Sequence, residues 1–524
     1  METPPGPLLP QPHLWRLLGI VTLAFAAVLL GLSFQFVHGV GHAERPILIV
    51  VMVLLAWGIF YAAFSMQALR SPPRPRLVLG VAVAARLLLI ASNPIQEDDI
   101  YRYLWDGRVL QAGVDPYLFS PVEVEGFEAG GEALLPGHVA QLARLVALKK
   151  SSPALNEIFD RINNRQYATI YPAGAQMVFR AHSTLVPVEW GVATQVGAMK
   201  AILGLFDLAT IASLIFLLGR SGLNPGLSVL YAWCPLVLKE FSNSGHMDSV
   251  PTFFLVATLA AQARGWPLVC GLCLGAATGT KLFAVVVLPI VFRNWSPKRG
   301  GIFLLGFTLV TLSALLAFPV GAARRQETLL AFAQNWEMND AIFPWIDRGF
   351  QLLGSPWFAA HAAVGLLVLA VVFLHAARTC RETRPGELAR SVFAVLTLLF
   401  LAGPLGFPWY FTWCLPLLPF VRKRAWLLAP GILSIYYVRF WLDYHYPGSC
   451  LGFESGRTFF DEVVVSVEVG VLFLALVIES ISRRGVTSRP GARWLFESFT
   501  PGSRGERPGP HAGVDRNSGN EYGR

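Results

Sequence analysis

Long apolar runs, broken by short polar or basic loops, fill most of the chain. They cover residues 14–36, 46–66, 77–92, 192–219, 224–240, 248–263, 266–280, 282–293, 300–319, 355–377, 388–404, 408–421, 425–442 and 463–481. A helix needs about 20 mostly apolar residues to cross the hydrocarbon of a bilayer, and several of these runs are shorter. The pattern predicts an all-α polytopic membrane protein, a bundle of about 12–14 transmembrane helices. One stretch breaks the rhythm. Residues 93–190 are largely hydrophilic and hold helix-like pieces, HVAQLARLVALKK and LNEIFDRINN. Loops this long are usually functional. Short amphipathic helices lying on the outer leaflet and capping a cavity are expected there. The run 266–293 carries GTK at its middle, with basic residues beyond both ends. Two short helices meeting near Lys281 are expected, because broken helices are tolerated where they line a cavity.

Charge then orients the spans. The loop RSPPRPR, with Arg70, Arg74 and Arg76, belongs in the cytoplasm by the positive-inside rule. The long loop 93–190 therefore faces outside, and an even helix count returns both termini to the cytoplasm. The expected organisation is a single transmembrane domain over 1–485, followed by a disordered basic cytoplasmic tail over 486–524, rich in Gly, Pro, Arg and Ser. With the long loop outside, the site is expected to open to the outer side of the membrane. No cleavable signal sequence is read at the N-terminus.

Composition agrees: 54% of the 524 residues are hydrophobic and 14% are charged, against roughly 25% charged in a soluble domain. The net charge of +9 lies mostly in the short loops, so it calls for no nucleic-acid partner. Cys270 and Cys273 form a lone C-x-x-C within an apolar helix, which reads as packing rather than as a metal or redox site.

Candidate chemistry concentrates where the third apolar run ends. Residues 93–121 read NPIQEDDIYRYLWDGRVLQAGVDPYLFSP. Ionisable groups crowded against the end of a hydrophobic span are costly unless they line water or a site. With 97–108 helical, Asp98, Asp99, Arg102 and Asp106 share one face, and Tyr101, Trp105 and Arg108 share another. One carboxylate can then pair with Arg102 while its neighbour stays free to accept a proton, and adjacent carboxylates shift one another's pKa. Asp98 and Asp99 also suit a helix N-terminus as caps. Downstream, His246 and Asp248 form a second polar pair, readable as a substrate contact, a helix cap or part of a metal site. Two ligands alone do not make a metal site. Lys281 sits mid-run, where a charge is expensive unless it snorkels. Asn335 and Trp336 can bind a sugar through amide bonds and ring stacking. Trp409 and Tyr410 suit the same task, or an aromatic belt.

The stretch EDDIYRYLWDGRVLQAGVDPY resembles the first extracytoplasmic loop of bacterial GT-C superfamily glycosyltransferases, closest to the polyprenyl-phosphate-mannose-dependent mannosyltransferases. The resemblance continues in order through YPAGAQ, YAWCPLVLKEFSNSGHMD, GTKLF, FAQNWEMND and FPWYFTW. It implies a GT-C-type bundle and a polyprenyl-phosphate sugar donor, with mannose the family's sugar, used on the outer side of the membrane upon a glycolipid or glycan acceptor. It also implies an acidic general base in the first outer loop and inversion at the anomeric carbon. That role maps onto Asp99 or Asp98, with Asp99 favoured because related loops place an Asp just ahead of a similar hydrophobic-Tyr pair. Phosphate leaving calls for cations, for which Arg102, Arg108, Lys239, Lys281, Arg324 and Arg325 are the outer-side candidates. No cofactor is expected, and a divalent metal is not indicated, since a carboxylate base can work without one. The rival reading is a transporter or flippase for a polar lipid or sugar. It predicts paired internal repeats, and the sequence shows none.

Overall fold

The computed structural model describes residues 11–131, 136–340, 342–379, 383–421 and 423–487. The tail expected over 486–524 lies almost wholly outside them. Among the described residues the regular elements are all helical, apart from two isolated bridges, Met338–Leu405 and Cys450–Phe453. Among the described residues, eight helices are long and apolar enough to cross a membrane: Pro12–Ser33, Ile47–Arg70, Val192–Arg220, Pro297–Leu316, Phe358–Arg378, Pro385–Ala402, Arg424–His445 and Gly456–Ser482. Their outward faces are apolar, with Ile59, Leu305 and Leu366 among the most exposed side chains. Such faces suit lipid and not water. The chain is a multi-pass membrane protein.

The eight full-length spans are fewer than the 12–14 expected, and the reason is local. Prolines and glycines divide several apolar runs into pieces too short to span. The run over 224–240 is cut at Pro225 and Pro235 into a 3₁₀ turn and short helical pieces. That over 408–421 becomes a four-residue helix and a 3₁₀ segment containing Pro419. Ser249–Arg264 and Pro267–Thr280 are regular but hold only 16 and 14 residues. Lys281 is extended (φ −155°, ψ 124°), and the chain resumes as a 3₁₀ segment, Leu282–Val287. The break expected near Lys281 thus falls at that residue.

The elements that carry the polar groups are numbered along the chain. Helix α1 (Gln11–Ser33), α2 (Ile47–Arg70) and α3 (Pro75–Ile90) precede the polar stretch. Within it lie α4 (Asp99–Gln111), α5 (Pro121–Glu128), α6 (Val139–Lys149), α7 (Pro153–Asp160) and α8 (Ala173–Leu185), and α9 (Val192–Arg220) follows. Helix α4 ends because Gly113 takes φ +76°, so that its N–H and that of Val114 bond back to Leu110 and Val109. That left-handed cap suits glycine.

Close backbone contacts fix where the helix ends meet. A Cβ on Gly107 would stand 2.2 Å from the Phe179 carbonyl, so α4 and α8 cross at a bare glycine. One on Gly174 would stand 2.6 Å from the Gly279 carbonyl, which seats the start of α8 against the end of Pro267–Thr280. The latter helix packs on Pro297–Leu316 in the same way, Gly271 against Phe303 and Gly306 against Leu268. Small residues let helices approach closely where lipid supplies no hydrophobic drive between them. The result brings the start of α4, the residues before α8 and Lys281 around one space. Beneath, Arg86 of α3 and Asp207 of α9 form a fully buried ion pair at 2.7 Å. The Tyr231 hydroxyl donates to Asp207 at 2.7 Å, and Arg86 donates to the Ala232 carbonyl at 2.9 Å.

Candidate active site

A cavity of about 920 Å³ opens among these helix ends. That volume is typical of a small-molecule site. Asp99, in the first turn of α4, reaches into it. Asp99 Oδ1 accepts a hydrogen bond from Asn163 Nδ2 at 2.9 Å, and Oδ2 accepts one from the Tyr171 hydroxyl at 3.0 Å. Burial, and then the Asp99 charge, hold the Tyr171 phenol well above its ordinary value, so it stays a donor. The turn before α4 is strained: Gln96 has φ 59° although it is not glycine. Arg45 Nη1 donates to Gln96 Oε1 at 3.3 Å, and the Ile95 N–H donates to Asn243 Oδ1 at 3.3 Å. Those bonds hold the turn, and with it the aim of Asp99.

Asp98 takes the N-cap position of α4, but its side chain makes no capping bond. It stands open at the cavity rim. Surrounding protein nevertheless raises its carboxyl from the ordinary value, while Arg161 and Arg45 pull it back. The two neighbouring aspartates therefore differ: Asp99 is held by two donors inside the cavity, and Asp98 faces its rim. The preceding Glu97 is buried, and desolvation pushes its carboxyl well up.

The second polar centre lies across the cavity. Asp248 Oδ1 accepts from Lys281 Nζ and from Trp413 Nε1, each at 2.7 Å. Lys281 Nζ also lies 4.1 Å from the centre of the Tyr410 ring, a cation–π contact. The extended break at Lys281 is what delivers the ammonium to this place. Aromatic rings form much of the remaining wall. Trp409 stacks between the His246 ring (4.2 Å) and Phe407 (4.4 Å), and Trp336 meets Tyr167 edge-on at 5.2 Å.

The structure gathers Asp98, Asp99, Arg102, Asp248, Lys281, Asn335, Trp336, Trp409 and Tyr410 around this cavity. His246 does not line it but is buried behind Trp409, with Nδ1 3.8 Å from Asp99 Oδ2. Tyr101 and Arg108 are not brought there. Tyr101 turns into an apolar cluster on the far face of α4, with Arg161 over its ring at 4.0 Å. Arg108 spends its donors on the carbonyls of Ser183 and Val186, tying α4 to the end of α8. Arg102 reaches the cavity, but the expected ion pair with an aspartate does not form. Its guanidinium donates to the Asn163 and Asn164 carbonyls at 3.2 and 3.4 Å, and so holds the loop that carries Asn163. Among the other cations proposed for a phosphate, Arg324 pairs with Glu123, Arg325 lies over the Tyr117 ring, and Lys239 is buried against Tyr437. Among the described residues no group of three or more His, Cys, Asp and Glu side chains is arranged to hold a metal ion.

Several groups escaped the reading of the sequence. Asn163 and Tyr171 hold Asp99, Trp413 holds Asp248, and Glu240 stands behind His246 at 3.4 Å from Nε2. Glu240 carried a usable signal, a carboxylate inside an apolar run. Trp413 and Tyr437 carried none, because aromatic residues are common in such runs.

One wall of the cavity is built from a loop, and it should respond to pH. The Met338 N–H bonds to the Pro404 carbonyl and the Gly406 N–H to that of Met338, at 3.0 and 2.8 Å. Asn339, at φ 52°, donates to the Gly406 carbonyl at 2.9 Å. Beside it, burial pushes the Asp340 carboxyl up to about 7. A carboxyl whose folded-state pKa is raised favours folding when protonated, so its contribution is lost as pH rises through that value. The wild type should lose more of its thermal midpoint between about pH 5 and about pH 8 than Asp340→Asn does. Equal pH slopes in the two proteins would count against this role for Asp340.

Comparison of the chain with family models, with curated proteins and with solved structures finds no match.

Proposed function

We propose that the protein is a GT-C-type membrane glycosyltransferase. It moves a hexose, mannose being the first candidate, from a polyprenyl-phosphate-linked donor to a hydroxyl of a glycolipid or glycan on the extracytoplasmic face of an inner membrane. The observation that carries this reading is the cavity itself. A carboxylate held by two donors (Asp99) and an ammonium (Lys281) share one aromatic-lined space at the ends of membrane helices. Inverting transfer needs both groups. Asp99 takes the acceptor proton as the oxygen attacks the anomeric carbon, and Lys281 meets the negative charge that grows on the departing phosphate. The aromatic walls suit the apolar faces of sugar rings, and Leu282, exposed beside Lys281, suits a lipid chain that stays in the membrane.

The test supplies purified protein with a polyprenyl-phosphate-linked hexose and a sugar acceptor and reads the acceptor's mass. A gain of one hexose residue is the expected result. Movement of the lipid-linked sugar across vesicles without bond formation would instead favour a flippase.

A further inference from the structure

Behind Asp99 the protein holds a second carboxylate that the transfer reaction, as described, does not use, and one imidazole lies between the two. His246 Nδ1 is 3.8 Å from Asp99 Oδ2, and its Nε2 is 3.4 Å from Glu240 Oε2. His246 and Glu240 are almost completely buried. Neither ring nitrogen makes a hydrogen bond, and Glu240 Oε2 accepts none either, although the Lys239 ammonium stands 3.6 Å from that oxygen. These separations exceed hydrogen-bond length by ~1 Å or less, and catalytic contacts are often long before substrate binds.

Three features hold the imidazole in that place. Its ring plane is set by stacking on Trp409, 15° from parallel. The His246 backbone N–H bonds to the Glu240 backbone carbonyl at 2.9 Å, closing the turn that joins the two residues. Gly245 before it has φ +75°, and a Cβ there would stand 2.6 Å from Ile100 Cδ1, so the turn is pressed onto the first turn of α4 beside Asp99. Glu240 is fixed in its own right, since its Oε1 accepts from the Tyr437 hydroxyl at 2.6 Å. The charged groups around this line are Glu97 and Asp99 at the start of α4, Lys200 of α9, Lys239 beside Glu240, and the Asp248–Lys281 pair. Lys239 donates to the Ile95 carbonyl and to Ser244, and Lys200 to the Ser92 carbonyl.

We infer that His246 is a relay residue, carrying to Glu240 the proton that Asp99 takes from the acceptor. This rests on the glycosyl-transfer reading and deepens it. In the transfer step the acceptor O–H bond breaks and its proton goes to Asp99. The oxygen bonds to the anomeric carbon, and the C–O bond to phosphate breaks with its electron pair going to phosphate. In the relay step the Asp99 proton passes to His246 Nδ1 while the proton on Nε2 passes to Glu240 Oε2. Asp99 is thereby returned to its charged form while the product still fills the cavity; once the product leaves, the proton runs back along the same line to Asp99 and out to water in the cavity, restoring the Nε2 proton and the Glu240 carboxylate.

The experiment measures steady-state transfer by the full chain, with a polyprenyl-phosphate-linked hexose and an alkyl glycoside as acceptor. His246→Gln and Glu240→Gln should each lower kcat about 10–100-fold, with little change in KM. Because the two act in series, the double variant should be no worse than the poorer single one. Added imidazole should restore part of the turnover of His246→Ala, which loss of a purely structural contact would not permit. In protein carrying isotope-labelled histidine, Asp99→Asn should shift the His246 ring-nitrogen resonances. Losses that multiply in the double variant, near-normal turnover of His246→Gln, absence of rescue, or unmoved resonances would each overturn the relay. If Asp99 proves essential and His246 does not, only the relay fails. If the wild type makes no glycosidic product, the transfer reading fails and the relay falls with it.

Discussion

Asp99→Asn is expected to lower kcat by about 10²–10⁴-fold, the usual worth of a positioned general base. The KM values should stay within a few-fold. The amide keeps the shape of the carboxylate and can still accept from Tyr171 or Asn163, so the helix start should survive. What it loses is the capacity to take a proton. Asp98→Asn is the matching control and should cost less than tenfold, because Asp98 stands at the rim without the two donors that hold Asp99. Equal losses in the two variants would mean that the pair acts as one unit. A larger loss at Asp98 would reverse the assignment.

The second large effect is expected at Lys281. Removing a group that stabilises charge developing in the transition state typically costs about 10²–10³-fold in kcat. Lys281→Gln alone does not isolate that effect, because it leaves the buried Asp248 with Trp413 as its remaining partner. A carboxylate stripped of its cation in a buried site destabilises the fold. The double variant Lys281→Gln, Asp248→Asn removes both charges and should regain much of the thermal stability lost by the single one, while transfer stays low. Recovery of activity together with stability would show that the lysine only neutralises Asp248.

What depends on composition and period was legible in the sequence: long helices, a polar interruption, and a break at the lysine inside an apolar run. The number of full spans was not, because hydropathy averages over the prolines at positions 225, 235 and 419 that cut apolar runs into turns. Helical register put Asp98, Asp99 and Arg102 on one face, and it could not foresee that Arg102 would find backbone carbonyls from a segment some 61 residues away. Spacing put Arg102 and Arg108 on different faces of that helix, but it could not say which face would meet the cavity. What separates them is the crossing of α8 at Gly107, which closes one side of α4 and leaves the other facing the cavity.

The ion pair between Arg86 and Asp207 bears on how the protein is made. Helix α3 has 16 residues and carries an arginine that has no comfortable place in lipid alone. Its partner lies 121 positions later in the chain. At ordinary translation speeds of about 5–20 residues per second, α3 waits roughly 6–24 s before Asp207 is even synthesised. The expected consequence is that α3 settles late in biosynthesis, once α9 brings the carboxylate that neutralises its arginine.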